Sequence, residues 1–353
     1  MKRVLFGHLI GAWLAFTCAA QAEAIRVASY NTELSREGPG LLLRDIEDRT
    51  RDTVAIAQII ASAKTDIIAL QGVDWDVENR TLKALQSLIA AQGELYKYTF
   101  TLRPNSGLET SLDMDGNGRL GEAADAQGFG AFSGQGGLAL LSKFPINKTK
   151  ALNYSDLLWR DLPGAQLPVH PDGTPFPSAQ AQDNQRLSST GHWIIPVSLP
   201  DGTTLKIMCF QAGPPVFDGP EDRNGLRNRD EIRIWAHLLD GTFGEEAEDP
   251  FVIVGGANLD PFRGQGHRNA IQGLLSHVRI QDPVPKDNSA KASPATVEWE
   301  RVGPMRVDYV LPSSGLTVLS SGVLWPLKSA ERRTASRHRL VWVDMEVGRK
   351  EEN

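Results

Sequence analysis

Between two β-forming runs, His192–Leu199 and Thr204–Phe210, the chain has only Pro200, Asp201, Gly202 and Thr203. Such residues close a tight turn, and four positions cannot hold the crossover helix that a parallel pair requires. The two runs therefore form an antiparallel hairpin, which argues against a uniformly parallel, doubly wound sheet.

Around this hairpin the pattern alternates. Strands are predicted at Ile25–Asn31, Asp66–Gln71, Tyr96–Leu102, Gly137–Phe144, Phe251–Val254, Arg306–Leu311, Leu316–Leu324 and Arg339–Met345. Helical spacing marks Thr53–Ala63, the face made by Leu82, Leu85, Leu88 and Ile89, the segment Asn228–Leu239 with Ile232, Trp235 and Leu239 inward, and His267–Leu275. Irregular chain rich in Gly, Asp and Pro fills 105–133 and 163–184. Neither a linker nor a repeat divides the chain. The expectation is an α+β protein, a four-layer α/β sandwich in which two mainly antiparallel β-sheets pack face to face with helices outside. One domain over 23–348 and a charged tail at 349–353 account for the remainder.

With 41% hydrophobic and 23% charged residues, the composition supports a packed core rather than disorder. A formal net charge of -6 gives no strong signal for nucleic acid. Lys2 and Arg3 precede an apolar run from Val4 to Ala20, and Ala20, Gln21 and Ala22 supply a small-x-small cleavage pattern. A secretory signal peptide over 1–22 is predicted, with a periplasmic or secreted destination and no membrane segment after cleavage. Cleavage would leave Cys209 as the sole cysteine, so no internal disulfide is expected. Cys209 lies in an apolar run and reads as a buried strand residue.

Several short runs carry a resemblance: RVASYN at 26–31, DIIALQ at 66–71, GGLALLS at 136–142, VIVGGANLDP at 252–261, RVDYVL at 306–311 and SRHRLV at 336–341. In this order they resemble the endonuclease/exonuclease/phosphatase superfamily, whose members include deoxyribonucleases, sphingomyelinases and inositol polyphosphate phosphatases. The resemblance spans nearly the whole mature chain. It implies a metal-dependent phosphoesterase fold in which Asn31 and a Glu after the second strand help hold a divalent cation. Gly72 stands at the Glu position and offers no oxygen ligand. The family His after the strand ending at Phe210 is replaced by Gln211, and the Asp expected at Gly256 is gone while Asn258 persists. The C-terminal Asp-His pair appears as Arg337 and His338, which leaves His338 without its usual acidic partner. Asp308 matches a family Asp near the active centre.

These departures remove carboxylates that would grip a cation or activate water. The main expectation is an exported family-like protein that is catalytically degenerate and retains an anion-binding cleft. Asn31, Asn258, Asp308 and His338 are the surviving catalytic positions, and Arg337, Gln211 and Arg223 are candidates for binding a phosphate-containing or other anionic ligand. One alternative is an active phosphoesterase with an atypical Mg2+ or Mn2+ site rebuilt from Asp74, Asp76 or Asp260. A structural or protein-interaction module is another. Separately, Asp113, Asp115, Asn117 and Gly118 reproduce the opening of a Ca2+ loop, in which alternating oxygens face an ion and Gly allows the turn. The twelfth position is Ala124, flanked by Glu122 and Asp125. A polar, Gly-rich surface turn explains the same residues.

Overall fold

A computed structural model of the chain describes residues 24–243, 247–324 and 334–348. The expected signal peptide and charged tail lie outside the described residues. Strands β1 (Ala24–Asn31), β2 (Ile67–Val73), β3 (Tyr98–Phe100), β4 (Gly137–Ser142), β12 (Thr317–Leu324) and β13 (Leu340–Glu346) form one sheet, in the order β12-β13-β1-β2-β4-β3. A second sheet has the order β11-β8-β7-β6-β5, made from β5 (Leu152–Asn153), β6 (Gly191–Ser198), β7 (Thr204–Gln211), β8 (Phe251–Gly256) and β11 (Asp308–Pro312). The hairpin forms as expected, with β6 and β7 antiparallel from Ser198 opposite Thr204 to Gly191 opposite Gln211.

Two features differ from the sequence expectation. A third, two-stranded sheet is present, β9 (Val297–Trp299) with β10 (Gly303–Met305), each strand too short to show a period. Strand orientation is also mixed, since β1 pairs parallel with β2 and β7 parallel with β8. The intervening chain explains this. Helices α1 (Leu41–Glu47) and α2 (Arg51–Ala63) separate the first pair, and α5 (Arg223–Leu239) separates the second, supplying the crossovers that parallel pairing needs.

Apolar side chains alternate between two environments along each central strand. Val27, Ile67, Ala69, Val341 and Val343 meet Trp193, Ile207, Cys209, Val252 and Val254 in the core between the large sheets. The residues between them turn outward: Ala28, Tyr30, Ile68 and Leu70 pack under α1, α2 and α3 (Arg80–Ala90). Met208, Phe210, Phe251 and Ile253 pack under α5 and α6 (Arg268–Leu275). Burial on both faces is why these strands read as nearly continuous apolar runs. The resulting order of helices, sheet, sheet and helices is the expected sandwich, with Cys209 buried inside it.

Helix α5 begins five residues before the predicted start at Asn228. Asn228 is therefore not its cap. Fully buried, it donates through Nδ2 to Gly213 O and Ala257 O, both at 2.7 Å, and ties together the chain leaving β7 and the chain leaving β8. A short helix α4 (Ala179–Asn184) also interrupts the Pro-rich stretch.

Candidate functional site

A cleft of about 1060 Å3 opens where β1 and β7 end. Asn31 and Gln211 are the last residues of those strands, and Gly72, Asn258, Arg223, Arg337 and Asp115 complete much of its lining. Asp308 and His338 are not part of that lining and are both buried.

Pairing register sets the floor. Gln211 lies opposite Gly256, and Gly256 lies opposite Asp308, so the three positions stand abreast. A Cβ placed on Gly256 would lie 2.2 Å from Gln211 Oε1. The glutamine has thus taken the volume that a side chain at 256 would need, and the two replacements form one packing unit. Both Gln211 Oε1 and Asp308 Oδ1 are buried without a hydrogen-bond partner among the described residues.

His338 keeps an acidic partner after all, which corrects the expectation from its Arg337 neighbour. Asp308 Oδ2 lies 2.8 Å from His338 Nδ1, and Trp299 packs edge-on against the imidazole. The partner comes from β11, thirty residues away, so adjacency in sequence did not show it. Burial alone would lower the imidazole pKa, but the charge and hydrogen bond of Asp308, with Glu33 adding, raise it above the usual value.

Glu33 was not singled out from the sequence, although it lines the cleft two residues beyond Asn31. Its Oε2 accepts from Arg337 N at 2.7 Å and Ser336 Oγ at 3.1 Å, while Oε1 accepts from Arg337 Nε at 2.9 Å and also from Nη2. Burial pushes the Glu33 carboxyl upward, but these donors and the nearby His338 charge bring it below the ordinary value. Arg337 is held as a fork rather than left as a free surface cation.

The other acids expected near a metal take different places. Asp74 Oδ1 accepts from Gly136 N at 2.9 Å and Oδ2 from Arg36 N at 3.0 Å, clamping two loops. Asp76 accepts from Arg80 N and Thr81 N at 2.9 and 2.8 Å and holds the first turn of α3. Asp260 accepts from Phe262 N, Arg263 N and Arg306 N, fastening the loop after β8. With their oxygens committed to backbone donors, all three act as structural staples.

Arg223 also bridges elements: its Nη1 donates to Met114 O and links the start of α5 to the Asp-rich loop. Arg227 donates to the carbonyls of Leu187, Gln127, Arg186 and Ser188. Glu231 was missed in the sequence. It is buried and accepts from Ser189 N and Oγ and from Gly213 N at 2.6 to 2.7 Å, shaping the cleft wall from α5.

The Asp-rich loop brings Asp113, Asp115 and Asp125 together, each with a carboxylate oxygen within 4.8 Å of the others. Folding thus recruits Asp125, which flanks the empty twelfth position of the sequence pattern. Asn117 instead donates to Asp115 Oδ2 and Glu122 Oε2, and its Oδ1 accepts from Arg119 N. Burial and the neighbouring Asp113 and Asp125 charges raise the Asp115 carboxyl. A cation at this cluster would relieve that repulsion. Asp113 and Asp125 also accept from backbone N–H groups of the loop, and the three carboxylates are close enough to hold a metal ion without indicating which one.

The position beside Asn31 does not fit a divalent cation. Gly72 has a backbone φ of 73°, and a Cβ there would lie 3.0 Å from both Asn31 Oδ1 and Glu33 N. Asn31 Oδ1 already accepts from Glu33 N at 3.2 Å, and Glu33 is occupied by Arg337.

The model of the endonuclease/exonuclease/phosphatase family matches residues 28–338. The chain belongs to this family. Solved structures similar to it include an endonuclease/exonuclease/phosphatase from Beutenbergia cavernae DSM 12333, 18% identical over 92% of this chain and 72% of that one, with a TM-score of 0.58. A family protein from Leptotrichia buccalis C-1013-b is 15% identical over 92% of this chain and all of that one, with a TM-score of 0.54. The human Nocturnin catalytic domain, solved with a bound sulfate anion, is 16% identical over 91% and 93% of the two chains, with a TM-score of 0.51. No curated protein matches. At these identities the structural likeness establishes the fold. Asn31, Asn258, Gly72, Gln211 and Arg337 line the cleft, and Asp308 and His338 are buried.

Proposed function

We propose that this exported chain binds a phosphate-containing ligand in the cleft and cleaves its ester as an atypical metal-dependent phosphoesterase, with the cation held by Asp113, Asp115 and Asp125. The observation that carries this reading is that Asp115 lines the same cleft as Asn31 and Asn258. Calcium is the cation that the alternating oxygens of this loop sequence suggest testing first, with magnesium or manganese as the alternatives for turnover. Two groupings support the division of labour. Asp115, Asp218 and Glu221 line the cleft near Arg223, whereas Arg337 stands beside Glu33 and the Asp308–His338 pair. When bound, the cation would supply charge stabilisation for a phosphoryl oxygen. In this reading the chain's own residues do the rest: Asn31 and Asn258 orient the ligand, and Asp308 fixes the ring of His338 so that it can hold or move a proton.

The test is turnover by the purified protein with magnesium, manganese and calcium, on phosphomonoester, phosphodiester, phospholipid and nucleic-acid substrates. Activity should vanish with chelator and fall at least about tenfold, about 1.4 kcal/mol in the barrier, in Asp115→Asn. Silence across the panel would defeat hydrolysis. Calcium should raise the melting temperature, and Asp125→Asn should remove that shift.

A second reading, binding without turnover, is favoured by the loss of carboxylates at Gly72 and Gly256 and by the filling of the latter site by Gln211. It predicts ligand-dependent stabilisation with no product. The openness of the cleft counts against a purely structural module.

A further inference from the structure

We infer that the guanidinium of Arg337, braced by Glu33, replaces the divalent cation beside Asn31 as a fixed positive charge at that end of the cleft and forms a phosphate subsite that works without metal. The inference rests on the phosphate-binding half of the proposed function and is independent of turnover.

Three observations converge. The position beside Asn31 cannot collect cation ligands: Gly72 has no donor, Asn31 Oδ1 accepts from Glu33 N, and both Glu33 oxygens are occupied. Arg337 lines the same cleft as Asn31, Gln211 and Asn258 and, beside Glu33, a second smaller pocket. Glu33 takes the Nε and Nη2 edge of the fork, and Nη1 has no partner among the described residues.

Electrostatics gives the arrangement its direction. A divalent ion placed here would meet the Arg337 charge, and no vacant carboxylate would compensate it. A phosphate oxygen meets the opposite situation, with a directional donor already oriented by a carboxylate and little side-chain entropy left to lose. Asp308 and Glu33 also raise the pKa of neighbouring His338 against the lowering effect of its burial. The arrangement therefore favours an oxyanion, and the phosphate expected of the cleft, free or in an ester, is the one tested.

Isothermal titration of the full chain with inorganic phosphate, and separately with phenyl phosphate, in excess chelator distinguishes the two sources. The wild type should bind at least one of them without metal. Arg337→Ala should weaken binding by tenfold or more, and Arg337→Lys should recover only part of the loss because it keeps charge but lacks the fork. Since the Arg337 side chain is 65% exposed, both variants should retain the wild-type circular dichroism spectrum. Wild-type binding that appears only on adding a divalent cation, or that survives unchanged in both variants, would overturn the assignment while leaving the proposed function standing. Absence of binding to either probe with and without metal would remove the ligand class itself, and this inference with it.

Discussion

At the scale of single residues, the sequence places His338 next to an arginine and the fold places it on an aspartate. The raised imidazole pKa means that the folded state holds the proton more tightly than the unfolded chain, whose His titrates near about 6.5. Stability from this pair is full below that value and is lost as pH rises through the raised pKa. His192 works in the opposite sense. Burial lowers its pKa to about 4, so acidification from about 6.5 toward 4 destabilises the fold. Bulk stability mixes the two, and NMR titration of the individual imidazoles separates them. Asp308→Asn should move the His338 midpoint down and leave His192 in place; an unmoved His338 midpoint would refute the pairing.

Gly256 and Gln211 make a second residue-scale case. Gly256→Asp should destabilise the protein because its Cβ meets the amide, and Gln211→Ala should relieve much of that cost. A double-mutant cycle by urea unfolding should give a coupling of about 0.5–3 kcal/mol, whereas additive effects would mean that the two positions do not share one volume. At Gly72 the obstacle is backbone. A Glu there must adopt a left-handed conformation, with a strain of about 1–3 kcal/mol, so restoring the missing ligand does not by itself restore the site.

At the scale of elements, acids that resemble ligands in sequence divide into staples and a cluster. Asp74 joins the loop after β1 to the segment entering β4 through Arg36 N and Gly136 N. Burial outweighs those bonds and raises its pKa to about 6. Because this exceeds the unfolded value of about 3.8, its contribution to stability is greatest below that pH and declines as pH rises through 6. The stability difference between wild type and Asp74→Asn, followed by urea unfolding, should therefore change between about pH 4 and 6 and level off above. A flat difference across that range would contradict the buried clamp. The spacing of Asp113 and Asp115 placed two acids of the loop together, but only the turn through 118–125 could show that Asp125 joins them. Helix α5 started earlier than read because its first turns carry Arg223, Asn224 and Arg227, whose polarity conceals a helix facing the cleft.

At the scale of the whole molecule, the two-sided burial of the central strands makes the inter-sheet core a single cooperative unit. Cys209 reports on it. Burial drives its thiol pKa well above the ordinary range. A thiol reagent should leave the native protein unmodified and react along the same denaturant curve that circular dichroism follows. Modification well before that transition would show that the sheets separate locally.

Strand runs, helical periods and the tight hairpin carried the layered architecture because each is a local rule: side-chain alternation and turn chemistry act between near neighbours. That Asn31, Gln211, Asn258 and Arg337 line one cleft followed from no local rule and was implied only by the family resemblance. Contacts that join distant segments were decided only by tertiary structure. Glu33 reaches Arg337 across 304 positions, Asp308 reaches His338 across 30, and Gln211 fills Gly256 across a strand pairing. A sequence states which groups are present, but their charge, tautomer and availability depend on distances and burial that exist only once the sheets have packed.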